Sequence, residues 1–379
     1  MRSFGGMNPP NGSWVEIEES AVIENAQSVM RALPEGVRLI AVVKSDAYGH
    51  SLRPFAKALR KAGVRDFALA YASEAETVRD AVPDARLLLV LGGADASDVP
   101  MMLAKGITPV VPSAQAACAF GDAALAAGGV LPVQLKLDTG MGRLGFLMPQ
   151  LLPDALSALR VPGLSVEGLC AHFAIVEPQR NPQAAALQME KFRDAARALE
   201  AAAGKPLFQD VSSSRAALLM PDCDNGGVRV GIALYGYGAS DPAGRFRTRP
   251  VLQWKTRVVQ VRDVPAGMAV GYYGAYRTTR PTKLAVLACG YADGYNRHLG
   301  NIGHVLVGGR RCLVAGRVSM NWITVDLGPN ANVREGDEAV LLGRQGDAEI
   351  WADELARHCG TIAYEILVGI SSRIERRYV

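Results

Sequence analysis

The chain reads as an α/β protein in which an N-terminal (β/α)8 barrel of the TIM type is followed by a C-terminal, mainly antiparallel β domain. Three observations predict this. Between residues 37 and about 236, eight short apolar or β-branched runs alternate with stretches rich in Ala, Leu, Glu and Arg at helical spacing. After about residue 245 the texture changes to short runs separated by Gly, Pro, Asn and Asp turns. The 379 residues also exceed the roughly 250 to 300 at which one hydrophobic core stops growing, so two domains are expected. The expected division is a disordered lead-in over 1–13, a barrel over 14–245 and a β domain over 246–379.

The eight runs are VRLIAVVK (37–44), DFALAYA (66–72), ARLLLVLGG (85–93), ITPVV (107–111), VQLKLD (133–138), LSVEGLCAHF (164–173), LFQDVS (207–212) and VRVGIALYG (228–236). Apolar parallel strands need cover on both faces, and right-handed crossovers place helices there. Helix signals fit the gaps: Ser73–Glu76 (SEAE) reads as a capping box, and QAACAFGDAALAAGG ends on paired glycines. The same alternation also fits an open doubly wound sheet. In the tail, VLQWKTRVVQV, KLAVLACG, HVLVGG, RCLVAG, WITVDLG and EAVLLG read as antiparallel strands. No internal repeat or low-complexity tract interrupts the pattern.

Composition narrows the function. A net charge of +4 is small for this length and gives no reason to expect a nucleic-acid partner. The six cysteines, Cys118, Cys170, Cys223, Cys289, Cys312 and Cys359, contain no CxxC pair and form no short disulfide framework, so reduced thiols are expected. The opening MRSFGGMNPPNGSW lacks the apolar core of a secretory signal, and no later run has the length of a membrane span. A cytoplasmic protein is expected, with no metal.

In a β/α barrel, polar residues closing the strands are site candidates. Lys44 closes the first run. A desolvated lysine is costly unless it is paired or used, and it makes a good amine nucleophile or base, as in a Schiff base to pyridoxal phosphate. Lys136 lies between Leu135 and Leu137 and points away from both, which would leave a buried ammonium near Arg143.

The stretch VVKSDAYGHS resembles the cofactor-lysine signature of the alanine racemases. The likeness runs on in order through LKLDTGMGRLGF (135–146), EGLCAHFA (167–174), VRVGIALYG, VGYYGAY (270–276), CGYADGYNR (289–297), VAGRVSMN (314–321) and TIAYEI (361–366). The resemblance implies the barrel and β domain already read from pattern. It implies that Lys44 holds pyridoxal phosphate as a Schiff base and serves as one catalytic base. Tyr272 would be the other, since inverting a stereocentre needs a proton removed from one face and delivered to the opposite one. It further implies a homodimer in which Tyr272 completes the partner subunit's site. The phosphate would be held by Tyr48, Ser214 and the backbone of Gly231 and Ile232, where such barrels favour phosphate. Arg229 would face the pyridine nitrogen and disfavour its protonation, with His172 touching this arginine and stacking near the ring. Arg143 would donate to the cofactor's phenolic oxygen. Together with Met320 and Tyr291 it would also line the substrate site. Lys136 is expected as a carbamate, an anion able to hold Arg143. The implied role is to supply D-alanine for peptidoglycan.

Several positions depart from the family pattern. Asp46 stands for the usual Asn, Ser213 for an Asn, Tyr273 for Gly and Asn321 for Asp. Ser372 stands where many relatives carry a tyrosine, which predicts a roomier substrate pocket and activity on serine as well as alanine. Two other classes fit parts of the sequence. A different pyridoxal-barrel enzyme would need another acid/base partner than the tyrosine in GYYGAY, and a cofactor carrier would lack the β domain.

Overall fold

A computed structural model describes residues 12–174, 181–214, 226–238 and 246–379. Arg215, Cys223 and most of the expected lead-in lie outside the described residues. The strands are β1 (Ser13–Ile17), β2 (Arg38–Val42), β3 (Asp66–Tyr71), β4 (Leu87–Gly93), β5 (Thr108–Val111), β6 (Leu131–Asp138), β7 (Phe146–Leu147), β8 (Leu164–Cys170), β9 (Phe208–Ser213) and β10 (Gly227–Val230). They continue with β11 (Leu252–Val264), β12 (Ala269–Val270), β13 (Tyr276–Arg277), β14 (Thr282–Leu287), β15 (His304–Val307), β16 (Arg310–Val314), β17 (Ile323–Gly328), β18 (Glu338–Gln345), β19 (Ala348–Ile350) and β20 (Glu375–Tyr378).

Eight of these close a parallel ring, each paired with the next in the order β2, β3, β4, β5, β6, β8, β9, β10 and back to β2. The closing pair β10–β2 decides between the barrel and the open sheet in favour of the barrel. The strands are apolar at consecutive positions because both faces are covered: Leu88, Leu89 and Val90 are all fully buried, as are Ile40 and Ala41. Each fully buried leucine contributes about 1.5 to 3 kcal/mol of transfer free energy.

The run boundaries differ from expectation at the ends that matter. The eighth run stops at Val230, because Gly231 (φ −112°, ψ −95°) leaves the extended region and Ile232–Tyr235 wind into a 3-10 turn. The sixth run stops at Cys170, which puts His172 on the loop beyond it. The helix after β3 starts at Ala72 rather than inside SEAE, and the carboxylate that reaches back is Glu74, not Glu76. Its Oε2 accepts from the backbone N–H of Ala70 (2.9 Å) and Tyr71 (3.2 Å). The Ala114–Ala126 helix is capped by Ser113 as its sequence implies.

The chain divides into two compact units: one of Val22–Ala47 and Leu52–Arg249, the other of residues 1–21, Tyr48–Ser51 and Pro250–Val379. This differs from the expected 14–245 and 246–379. Ser13, expected in a disordered lead-in, is fully buried at the start of β1, which pairs antiparallel with β11 and parallel with β20. The second unit is built on a closed ring of six antiparallel strands, β11, β14, β17, β16, β15 and β18, with β18 returning to β11. On β17 Ile323, Val325 and Leu327 are buried while Thr324, Asp326 and Gly328 are half-buried, the period-2 pattern of a sheet with one core face. Tyr48–Ser51 is fixed within this unit. The Tyr48 ring lies 5.6 Å from that of Tyr364, Gly49 O accepts from Arg376 Nε (3.0 Å), and His50 O accepts from Tyr378 Oη (2.7 Å). Among the described residues no helix is long and apolar enough to cross a membrane.

Candidate active site

Lys44 follows β2 and begins a turn of unusual hand. Ser45, Asp46, Ala47 and Tyr48 all have φ between 52° and 55°, and Gly49 has φ 79°. Left-handed helical backbone costs an L-residue about 1 to 2 kcal/mol. Local bonds offset this cost: Ala47 N–H donates to Val43 O (2.9 Å), Ser45 N–H to Glu74 Oε1 (2.6 Å) and Leu52 N–H to Asp46 Oδ1 (2.7 Å). Asp46, the family departure, therefore has a structural use, since its carboxylate ties down the exit of the turn.

The half-buried Lys44 amine is shifted below the ordinary lysine range, first by burial and then by Arg143 and Arg229, against the opposing pull of Glu74. A lowered value raises the fraction of free amine at neutral pH, which a nucleophile or base requires. Arg143 rides on a tight turn made by Asp138, whose Oδ1 accepts from Gly140 N–H (2.9 Å) and Met141 N–H (2.8 Å) and whose Oδ2 accepts from Arg143 N–H (3.0 Å). Burial raises the Asp138 carboxyl, but these backbone donors outweigh it and hold the group below the usual range.

Arg229, on β10, is 4% exposed. It is ion-paired with Asp210 on β9 and donates to the Asp210 and Ala171 carbonyls. Its Nη1 and Lys136 Nζ each lie 3.5 Å from Cys170 Sγ. His172, just beyond β8, is pushed down to about 3 by burial and by Arg229, Lys136, Arg143 and Lys44, so its imidazole is neutral. The Ser214 hydroxyl, 7% exposed, accepts from Gly231 N–H at 2.9 Å, which joins the end of β9 to the turn at Gly231 and Ile232.

The first unit thus brings together Lys44, Arg143, His172, Arg229 and Lys136 as mutually repelling cations or potential cations, with the Ser214 hydroxyl bonded to Gly231, two residues beyond Arg229. Such a set favours an anionic guest carrying a carbonyl for Lys44, and the chemistry of pyridoxal phosphate fits it. Among the described residues no three His, Cys, Asp or Glu side chains could hold a metal ion.

The other expected residues belong to the second unit. Tyr48 is buried, and burial raises its phenol above the ordinary range, so it acts as a neutral hydroxyl. Tyr272 follows Gly271 (φ 72°) and leaves 62% of its surface exposed. Tyr291 and Met320 sit on two loops laced by Tyr291 N–H to Ser319 O (3.0 Å) and Ala292 N–H to Met320 O (2.9 Å). A Cβ on Gly290 would meet Met320 O at 2.3 Å, so these loops require glycine there. Tyr291 is 42% and Met320 55% exposed.

Sequence reading missed Asp210, Cys170 and Glu74. Asp210 carried the same signal that singled out Lys44, a charge inside an apolar barrel run. Cys170 had no signal beyond its place in a strand.

Comparison with known proteins agrees with this geometry. The profile described as "Alanine racemase, N-terminal domain" matches residues 17–239, and "Alanine racemase, C-terminal domain" matches residues 251–378. An alanine racemase of Syntrophobacter fumaroxidans is 38% identical over 362 residues, covering 94% of this chain and 95% of the relative. The alanine racemase structure from Streptomyces coelicolor A3(2) superposes with a TM-score of 0.89 at 35% identity, covering 98% of each chain. That of Bartonella henselae, with covalently bound pyridoxal phosphate, gives 0.85 at 26% identity, covering 98% of this chain and all of the other. Both domains match in order and the relatives match over nearly their full length: the chain belongs to the alanine racemase family of amino-acid isomerases.

Proposed function

We propose that the chain interconverts L-alanine and D-alanine with pyridoxal phosphate bound through Lys44, using Lys44 and Tyr272 as the two bases. The observation that carries this reading is the Lys44 amine, lowered by burial and by Arg143 and Arg229 at the C-terminal end of a barrel strand. When bound, the cofactor supplies an electron-withdrawing ring that takes up charge from the substrate's Cα.

The chain's own residues do the rest. Ser214 and the backbone of Gly231 and Ile232 would bind the phosphate, and Arg143 would hold the phenolic oxygen; the family resemblance adds Tyr48 for the phosphate and Tyr291 and Met320 for the substrate. Arg229 is read as the cation set against the ring nitrogen, where a fixed positive charge discourages ring protonation. The neutral His172 packs near the ring without adding charge. Lys44 moves the Cα proton on one face and the Tyr272 phenol on the other, as inversion requires.

The exposure of Tyr272 supports its reaching into the site of a second subunit, and so a homodimeric enzyme. Supply of D-alanine to peptidoglycan in the cytoplasm is the biological role that follows from this activity. Ser372 is exposed, and the family resemblance puts a tyrosine at this position in many relatives, which supports activity on serine as well.

The test is the near-ultraviolet and visible absorbance of wild type and Lys44→Ala beside an assay of D-alanine formed from L-alanine. A cofactor band altered in the variant, with racemisation in the wild type, is expected. A band without racemisation would remove the substrate assignment, and no band with added cofactor would remove the whole reading.

A further inference from the structure

The turn that presents Tyr272 is held with little side-chain packing. It forms the tip of the β12–β13 hairpin, whose register pairs are Ala269 with Arg277 and Val270 with Tyr276. Tyr272–Gly274 wind one 3-10 turn without a buried residue. Tyr273 is 89% exposed and has φ 63°, a left-handed backbone that a bulky side chain disfavours. Such a turn must be fixed by bonds at its ends. Beyond it, Tyr276 Oη donates to Asp326 Oδ2 (2.7 Å).

The other tie is Asn301, which also has a left-handed backbone, φ 65°, a conformation that asparagine tolerates better than most residues. Its Nδ2 donates to Ala275 O (2.8 Å), and the Ala275 N–H donates to Tyr272 O (3.3 Å) to close the turn. Its Oδ1 accepts from Gly316 N–H (2.7 Å), and its own N–H donates to Val314 O (3.0 Å). A carbonyl on one side and an N–H on the other fix which end of the amide faces which. The three backbones meet closely here: a Cβ on Gly316 would stand 2.9 Å from Val270 O, and one on Gly300 2.7 Å from Gly316 O. A second link joins the same two loops, since the Arg317 guanidinium lies 5.0 Å from the centroid of the Tyr273 ring. All of these residues belong to the second unit.

We propose that Asn301 is a positioning residue for the reaction: its side-chain amide ties the Tyr272 turn to the Gly316 loop, so that the Tyr272 phenol and Met320 are presented as one rigid piece. The effect on catalysis rests on the proposed reading of Tyr272 as a base, whereas the fixing of the turn is observable without turnover.

Glycine accepts a left-handed φ, so Asn301→Gly removes the amide and keeps the backbone. In the holoenzyme, this variant is expected to slow exchange of the Cα proton with solvent deuterium by about tenfold or more for one enantiomer, the one whose exchange Tyr272→Phe abolishes. Exchange from the other enantiomer is expected to stay within about twofold of wild type. Equal loss from both enantiomers, or loss from neither, overturns the proposal. With 3-fluorotyrosine incorporated, the Tyr272 fluorine signal is assigned by its disappearance in Tyr272→Phe. In Asn301→Gly it is expected to narrow and move toward that of the free amino acid, while the signals of the buried Tyr235 and Tyr295 stay in place. An unmoved Tyr272 signal also overturns the proposal. Should Asn301→Gly fail to fold, Asn301→Asp, which keeps an acceptor for Gly316 and loses the donor to Ala275, takes its place with the same expected results. A wild type without racemisation removes the proposed function and leaves the fluorine signals to decide this inference; an active wild type matched by its Asn301 variants in both readouts does the reverse.

Discussion

Arg229 and Asp210 form a buried ion pair across neighbouring strands of the barrel, with the carboxylate fully enclosed and the guanidinium 4% exposed. Removing one member of such a pair leaves the other charge uncompensated in a poor solvent, which costs about 3 to 5 kcal/mol. Asp210→Asn is accordingly expected to lower the free energy of barrel unfolding, read from urea titration, by an amount in that range, whereas Glu76→Gln, on the solvent side of the Ala72–Ala81 helix, changes it by less than about 0.5 kcal/mol. Equal unfolding free energies for Asp210→Asn and wild type would show that the pair does not carry this weight.

The amine of Lys44 titrates below the ordinary lysine value, so its free base is present at lower pH than that of a surface lysine. The rate at which cofactor-stripped protein takes up pyridoxal phosphate is therefore expected to level off below pH 10.4, the ordinary lysine value of about that figure. Neutralising a neighbouring cation, as in Arg143→Met, should shift the profile upward. An unshifted profile in that variant would contradict the electrostatic cause.

His172 is neutral in the fold down to about pH 3, while an unfolded histidine binds a proton below about 6.5. Below 6.5 the unfolded chain then holds more protons than the folded one, so stability falls as pH drops from about 6.5 toward 3 and is unaffected above 6.5. His172→Gln removes this contribution. Its stability is expected to decline less steeply than that of the wild type over that window, as read from urea midpoints at successive pH values.

Tyr272 is largely exposed within its unit, so Tyr272→Phe should leave the melting temperature within about a degree of wild type while cutting racemisation at least a hundredfold. Loss of the phenol removes one of the two proposed bases. The variant is expected to retain exchange of the Cα proton with deuterium from one enantiomer only. Exchange lost equally from both enantiomers would contradict the two-base assignment.

Ser372 offers a hydroxyl where a phenol would fill space, and one methylene is worth only about 1 to 3 kcal/mol in a pocket. Comparable kcat/KM values for serine and alanine are expected, with Ser372→Tyr narrowing activity toward alanine. A preference for alanine above about a thousandfold in the wild type would rule this out.

Much of this protein was legible because its signals are local. Eight apolar runs, their spacing and the change to turn-rich β texture determined a barrel followed by a β domain, since strand and helix periodicity are set by near neighbours in sequence. A charge at the end of an apolar run pointed to Lys44 for the same reason, and ordered motifs pointed to the family. What the tertiary structure decided depends on residues far apart in the chain. It closed β10 onto β2, moved Ser13–Ile17 into the β unit through pairing with β11 and β20, and held Ser45–Tyr48 in a left-handed turn that their own propensities oppose. It also placed Asp210 and Cys170 beside Arg229 and Lys136. Which buried charge meets which is fixed by strand register and ring closure, and neither is written in the periodicity of any one segment.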